Sequence, residues 1–299
     1  MKYLKSLFSI IFLLFIFSCG SKDDSQKNKL TVVVTILPQK YLVDRISGGR
    51  VNCFALVCEG QNPHSYEPTA KQISEISQSK IWFLSGVDME IALKDKIASI
   101  SRGLMIVDIT EGVNFRRTDA HEHEEAENEH HHNSTDADKH IWLGREPLKI
   151  MSRSILQTLV SLDSNSKDFY EENYKKLITD IDSVFEELKI KLAPLKGRKV
   201  FVYHPAFGYF CDDFDIKQVA IETGGKEPDA RSIAKLIKLA KDEGAIAFFV
   251  QKQFPSLAAK KIAQSIGAEV VMLDPLSYDL IDNLKLMGEA LAKYANKGK

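Results

Sequence analysis

The 299-residue chain is poor in cysteine, with four in all. One of them, Cys19, closes an N-terminal apolar segment, so only Cys53, Cys58 and Cys211 remain for the body. An odd number excludes a full disulfide framework. Cys53 and Cys58 are five residues apart in an expected strand, where extended chain holds their Cα atoms about 16 Å apart, too far for a bridge. A bridge from either to Cys211 stays open, and small buried hydrophobes are the expected role of these thiols. An excess of one charge is also missing. Forty Lys and Arg against 41 Asp and Glu give a net charge of −1, which argues against nucleic acid as a partner. No helical His-Glu-x-x-His motif, no Gly-x-Ser-x-Gly and no phosphate-binding loop occurs, which removes the commonest hydrolase and nucleotide-binding signatures.

Long apolar runs are absent too, apart from the eleven residues Leu7–Phe17, broken only by Ser9. At about 1.5 Å per residue such a run cannot cross a hydrocarbon core of about 30 Å. With Lys2 and Lys5 before it and Ser18-Cys19-Gly20 after it, the segment reads as a signal peptide of lipoprotein type over residues 1–18. Cys19 is then the lipid-carrying residue of a membrane-anchored, extracytoplasmic protein. The alternative is a secretory signal cut elsewhere. Residues 19–29 are polar and aperiodic, as a tether should be.

From residue 30 onward, short apolar runs alternate with helical spacing. Leu30–Ile36, Val51–Val57, Ile81–Ser85 and Leu104–Ile109 are nearly continuous in apolar residues, the pattern of parallel strands covered on both faces. Helical patterns over 39–47, 69–79 and 89–101 separate them. A second set follows, with strands at Lys199–Tyr203, Ile216–Ile221, Ala245–Val250 and Glu269–Leu273 and helices over 230–243, 256–266 and 278–294. Between the halves, 146–161 and 165–192 read as helices, and the second is long enough to join two lobes. The expected fold is α/β: an N-terminal lobe over 30–145, connecting helices over 146–197 and a C-terminal lobe over 198–299, each lobe with a four-stranded, mainly parallel sheet. Ligands of open α/β sheets bind beyond the carboxyl ends of the strands.

Histidine is where the sequence concentrates its chemistry. Five of the eight, His121, His123, His130, His131 and His132, lie in the acidic low-complexity stretch Asp119–Lys139. That stretch has no large apolar residue, so it cannot bury itself, and its histidines suit weak, transient Zn²⁺ binding. The other three stand alone. His64 is in a loop stiffened by Pro63 and Pro68, His140 precedes the apolar Ile141-Trp142-Leu143, and His204 follows a strand and precedes Pro205. Asp274 ends another strand. A loop histidine by itself is usually plain surface, and a strand-end Asp followed by proline is usually a turn former. Together, three imidazoles and one carboxylate drawn from both halves suit a closed four-coordinate Zn²⁺ site.

The segments NPHSYEP, KHIWLG, YHPAFGYF, GGKEPDARSIAKL and VQKQFPSLAAKKIAQSIGAEVVMLDPL resemble the solute-binding receptors of zinc and manganese ABC importers, and do so in order from about Leu30 to the C-terminus. The resemblance implies two (β/α)₄ lobes on one long helix, a metal ion in the interlobe cleft and ligands at His64, His140, His204 and Asp274. His204, where manganese receptors typically carry Glu, and the His-rich insertion match the zinc branch; Mn²⁺ is the alternative cargo. The implied partner is a membrane permease, with the receptor a monomer and not an enzyme. Two departures, Gly144-Arg145-Glu146-Pro147 in place of the usual Asp-Pro and Gln251 where relatives often have Glu, leave the ligands untouched. A surface adhesin or zinc store could use the same site, and a zinc hydrolase would need an open coordination position and a general base.

Overall fold

Two parallel sheets of the same design account for every expected strand. The computed structural model describes residues 29–117, 137–222, 226–254 and 257–295. Cys19, the signal segment, and His121, His123, His130, His131 and His132 fall outside them. In the first sheet β1 (Leu30–Val34), β2 (Val51–Ala55), β3 (Ile81–Leu84) and β4 (Met105–Asp108) lie in the order β2-β1-β3-β4. In the second, β5 (Lys199–Val202), β6 (Lys217–Ala220), β7 (Ala247–Gln251) and β8 (Glu269–Leu273) repeat it as β6-β5-β7-β8. All pairings are parallel. The helices are α1 (Leu37–Ser47), α2 (Ala70–Gln78), α3 (Asp88–Ile100), α4 (Arg145–Leu162), α5 (Lys167–Leu192), α6 (Gly208–Asp212), α7 (Ala230–Asp242), α8 (Leu257–Ile266) and α9 (Leu280–Ala295). The five-residue α6 was not expected: it is too short to show a helical period. No helix among the described residues is long and apolar enough to cross a membrane.

The apolar pattern explains the layering. The central strands β3 and β7 are buried along their whole length, while the edge strands β4 and β8 are only partly covered. Successive side chains of a strand face opposite ways. Val200 and Val202 of β5 therefore join the main core, and Phe201 and Tyr203 point to a second core under α7 and α8. Local chemistry sets the helix starts. Thr69 and Gln72 form a reciprocal cap on α2, and the Asp229 carboxylate accepts the Ser232 N–H at 2.7 Å at the head of α7.

The 26-residue α5 is about 39 Å long. It buries Tyr170, Leu177, Ile181, Val184, Phe185, Leu188 and Leu192 along one side and packs on α1 and α4 of the first lobe and on α9 of the second. Gly288 of α9 permits the closest approach, since a Cβ there would come within 2.2 Å of Leu188 Cδ2. The main core runs from β1 through α4 and α5 to α9 without a break, so the two lobes share one hydrophobic body. Cys53, Cys58 and Cys211 form no disulfide among the described residues; Cys53 and Cys211 are buried, as expected of small hydrophobes, and Cys58 is exposed.

Candidate metal centre

Each of the isolated histidines is delivered by a strand end or a tight turn. His64 lies in the loop between β2 and α2, where its own N–H is bound by Asn62 Oδ1 at 3.0 Å. His140 immediately precedes the 3₁₀ turn Ile141–Leu143, whose three side chains are buried. His204 follows β5, and the Gln251 amide at the end of β7 clasps its backbone from both sides: Oε1 accepts the His204 N–H at 3.2 Å and Nε2 donates to the His204 carbonyl at 2.6 Å. Both sheets therefore present histidine at their carboxyl ends, as an open α/β sheet does with ligand-binding residues.

The three imidazoles converge. One ring nitrogen from each of His64, His140 and His204 lies within 4.8 Å of the others, the only such group of potential metal ligands among the described residues. Ring centroids are 4.9 Å apart for His64 and His204, 5.0 Å for His140 and His204, and 5.6 Å for His64 and His140. The Nε2 atoms of His140 and His204 face each other at 3.2 Å. A tetrahedral Zn²⁺ with Zn–N of about 2.0–2.1 Å separates its nitrogens by about 3.3 Å. Two carboxylates fix the tautomers. Asp138 Oδ1 lies 2.8 Å from His140 Nδ1, and Glu222 Oε1 lies 2.5 Å from His204 Nδ1. Each accepts the Nδ1 proton and so leaves the Nε2 lone pair free for a cation. The Phe254 ring stacks on His204 at 4.4 Å and 20°.

Burial disfavours the protonated forms of His64 and His204. Desolvation, then the neighbouring His140 and His204, push the His64 pKa down to about 4, although 34% of that side chain remains exposed. Desolvation lowers His204 as well, against the pull of Glu222. Asp138 is held below the usual carboxylate range: burial opposes its ionisation, but hydrogen bonds from His140 and Arg116 outweigh it. Neutral imidazole is the form that ligates a metal.

Asp274 does not join the three in this geometry. Its Oδ1 accepts the Gln253 Nε2–H at 2.8 Å and the Leu276 N–H at 3.0 Å, and its Oδ2 lies 3.6 Å from Lys252 Nζ. The cavity at the histidines is lined instead by Gln253, Phe254, Trp142 and Leu276 among others. Sequence reasoning missed Asp138 and Glu222. Asp138 was hidden near the C-terminal end of the acidic stretch. Its N–H bonds the Arg116 carbonyl at 2.9 Å, Arg117 and Ala137 form an antiparallel bridge, and Arg116 Nη1 pairs with Asp138 Oδ2 at 2.9 Å. Arg116 also reaches Asp212 of α6 at 2.9 Å. A strand-end Glu two residues beyond β6 carried no signal at all.

A family model described as zinc-uptake complex component A, periplasmic, matches residues 32–296. The chain belongs to that family. It is 28% identical over 271 residues to the high-affinity zinc uptake system protein ZnuA of Bacillus subtilis, covering 88% of this chain and 85% of that protein. A crystal structure of ZnuA superposes with a TM-score of 0.82 at 30% identity, over 90% of this chain and all of the other. A zinc-bound deletion mutant of ZnuA superposes with a TM-score of 0.81, also at 30% identity, over 90% of this chain and 98% of the other. The two-lobed α/β fold on a long helix is the fold of these neighbours.

Proposed function

We propose that this chain is the extracytoplasmic receptor that captures Zn²⁺ at His64, His140 and His204 and hands it to the membrane permease of an ABC-type importer. One observation carries the reading: two Nε2 atoms 3.2 Å apart, each on a ring whose Nδ1 is already committed to a buried carboxylate. Unless a cation or a proton sits between them, two lone pairs oppose each other there. Imidazole nitrogen suits Zn²⁺, whereas Mn²⁺ favours carboxylate and other oxygen donors, and the convergent group contains no carboxylate. Asp274 lies near the site with its carboxylate engaged by Gln253, Leu276 and Lys252. His64 and His140 come from the first lobe and His204 from the second, so the ion ties the lobes together. Family membership and the likeness to the zinc uptake protein ZnuA support zinc as the cargo.

The ion is bound and released, and no catalytic step belongs to this reading. Lipid attachment at Cys19, action as a monomer, and weak Zn²⁺ collection by His121, His123, His130, His131 and His132 complete it. The test is stoichiometric metal analysis with chelator competition on the purified protein. The wild type should hold one tight Zn²⁺, and His64→Ala and His204→Ala should each lose it. Tight stoichiometric binding retained in either variant would overturn the assignment.

A further inference from the structure

We propose that Gln253 is a positioning residue that decides the fourth zinc ligand: it holds the Asp274 carboxylate out of the metal shell and offers its Oε1 as acceptor to a metal-bound water in that place. The inference rests on the three-histidine site just described and concerns how that site stays releasable.

Gln253 is the residue that touches both parties. It lines the cavity together with His64, His140 and His204, and its Nε2 donates to Asp274 Oδ1 at 2.8 Å. The same carboxylate receives the Leu276 N–H at 3.0 Å and faces Lys252 Nζ at 3.6 Å. Hydrogen bonds to an ionised acceptor are about twice as strong as neutral ones. An ion can recruit Asp274 only by displacing these donors.

The backbone offers no other route. The Asp274 carbonyl is bound by Asn283 Nδ2 at 2.7 Å, and the next carbonyl, that of Pro275, is bound by Trp142 Nε1 at 2.8 Å. With the loop pinned at two successive carbonyls, recruitment requires rotation of the Asp274 side chain alone. Lys252 adds a second restraint, because its Nζ also lies 3.4 Å from Glu59 of the opposite lobe. The group that restrains the carboxylate thus spans the mouth of the cleft.

The other end of the Gln253 amide supplies an independent observation. Its Oε1 is buried, and no donor among the described residues reaches it. A buried acceptor without a donor is costly. The O–H of a water bound to the ion beside it provides that donor. One amide thereby performs both tasks, N–H toward Asp274 and C=O toward the water. Three neutral histidines and a water make a weaker and faster-exchanging shell than three histidines and a carboxylate. A receptor that must surrender its cargo gains from the former.

The experiment compares wild type, Gln253→Leu, Asp274→Ala and the double variant, with Gln253→Ala as a second truncation should the leucine disturb folding. Zn²⁺ affinity is read by chelator competition, release by a chelator chase and coordination by the visible spectrum of bound Co²⁺. Gln253→Leu should tighten binding and slow release by about tenfold, in the range of partner-residue effects on metal sites, and should alter the Co²⁺ spectrum. All three changes should vanish in the Gln253→Leu/Asp274→Ala protein, and Asp274→Ala alone should shift wild-type affinity less than threefold. An unchanged affinity and spectrum in both Gln253 variants would overturn the proposal. So would a loss of tenfold or more in Asp274→Ala alone, since Asp274 would then already ligate. Failure of the three-histidine reading shows separately, as tight binding that survives His64→Ala.

Discussion

Glu222 has no contact with the ion in the proposed site, yet its substitution should be among the most damaging outside the ligands. The side chain is buried, at 2% exposure, and its Oε1 is 2.5 Å from His204 Nδ1. Glu222→Gln preserves the volume and removes the charge. A hydrogen bond to a charged group contributes about 1.5–3 kcal/mol, a neutral one about 0.5–1.5, so the loss is about 1–1.5 kcal/mol, close to tenfold in affinity. The amide brings a second penalty. If it turns its NH₂ toward Nδ1, the ring must carry its proton on Nε2, where the metal binds, and the loss moves toward a hundredfold. Position alone should change little, because Gln251 still clasps the His204 backbone and Phe254 still stacks on the ring. The assay is competition for Zn²⁺ against a chelator of known affinity, with circular dichroism to verify folding. Affinity within twofold of wild type in a folded Glu222→Gln protein would refute the claim that the carboxylate sets the tautomer.

Metal should stabilise the protein by mass action, by about 2.7 kcal/mol at a hundredfold excess over Kd, and the rise in melting temperature should be reversed by chelator and absent in His204→Ala. Acid should destabilise the metal-free protein. His64, with a folded pKa of about 4 against an ordinary 6.5, contributes stability that is present above pH 6.5 and lost as pH falls toward 4, because the unfolded chain takes up the proton first. Melting temperature against pH should fall across that window, and His64→Asn should flatten the fall; an identical slope in the variant would count against it. Replacing 118–136 by a two-residue turn between Arg117 and Ala137 should leave the tight site intact, whereas a deletion that also removes Asp138 should weaken it about tenfold or more, since His140 then loses its carboxylate. Equal affinities from the two deletions, measured by chelator competition, would contradict that role.

The eight strands and the long helix were legible in the chain because their information is local. A run such as Ile81–Leu84 is apolar at every position and is buried at every position, and α5 shows its one-sided apolar spacing over 26 residues. The repeated βα alternation, with the right-handed connections that parallel strands demand, then dictates two sheets of like order. The same logic put His64, His140 and His204 at strand or turn ends, where such folds bind ligands. The sequence could not reveal which acids serve them. Asp138 lay within the acidic stretch and Asp274 was expected as the fourth ligand, yet the closing of residues 116–117 onto 137–138 brings Asp138 to His140, while Gln253, Leu276 and Lys252 engage the Asp274 carboxylate. Glu222 meets His204 only because β6 lies beside β5. Strand and helix patterns depend on neighbours along the chain, whereas these carboxylates are aimed by Arg116, His204 and Gln253, which lie 22, 18 and 21 residues from Asp138, Glu222 and Asp274 and reach them only once each lobe has folded; the three histidines themselves meet only when both lobes have packed on α5.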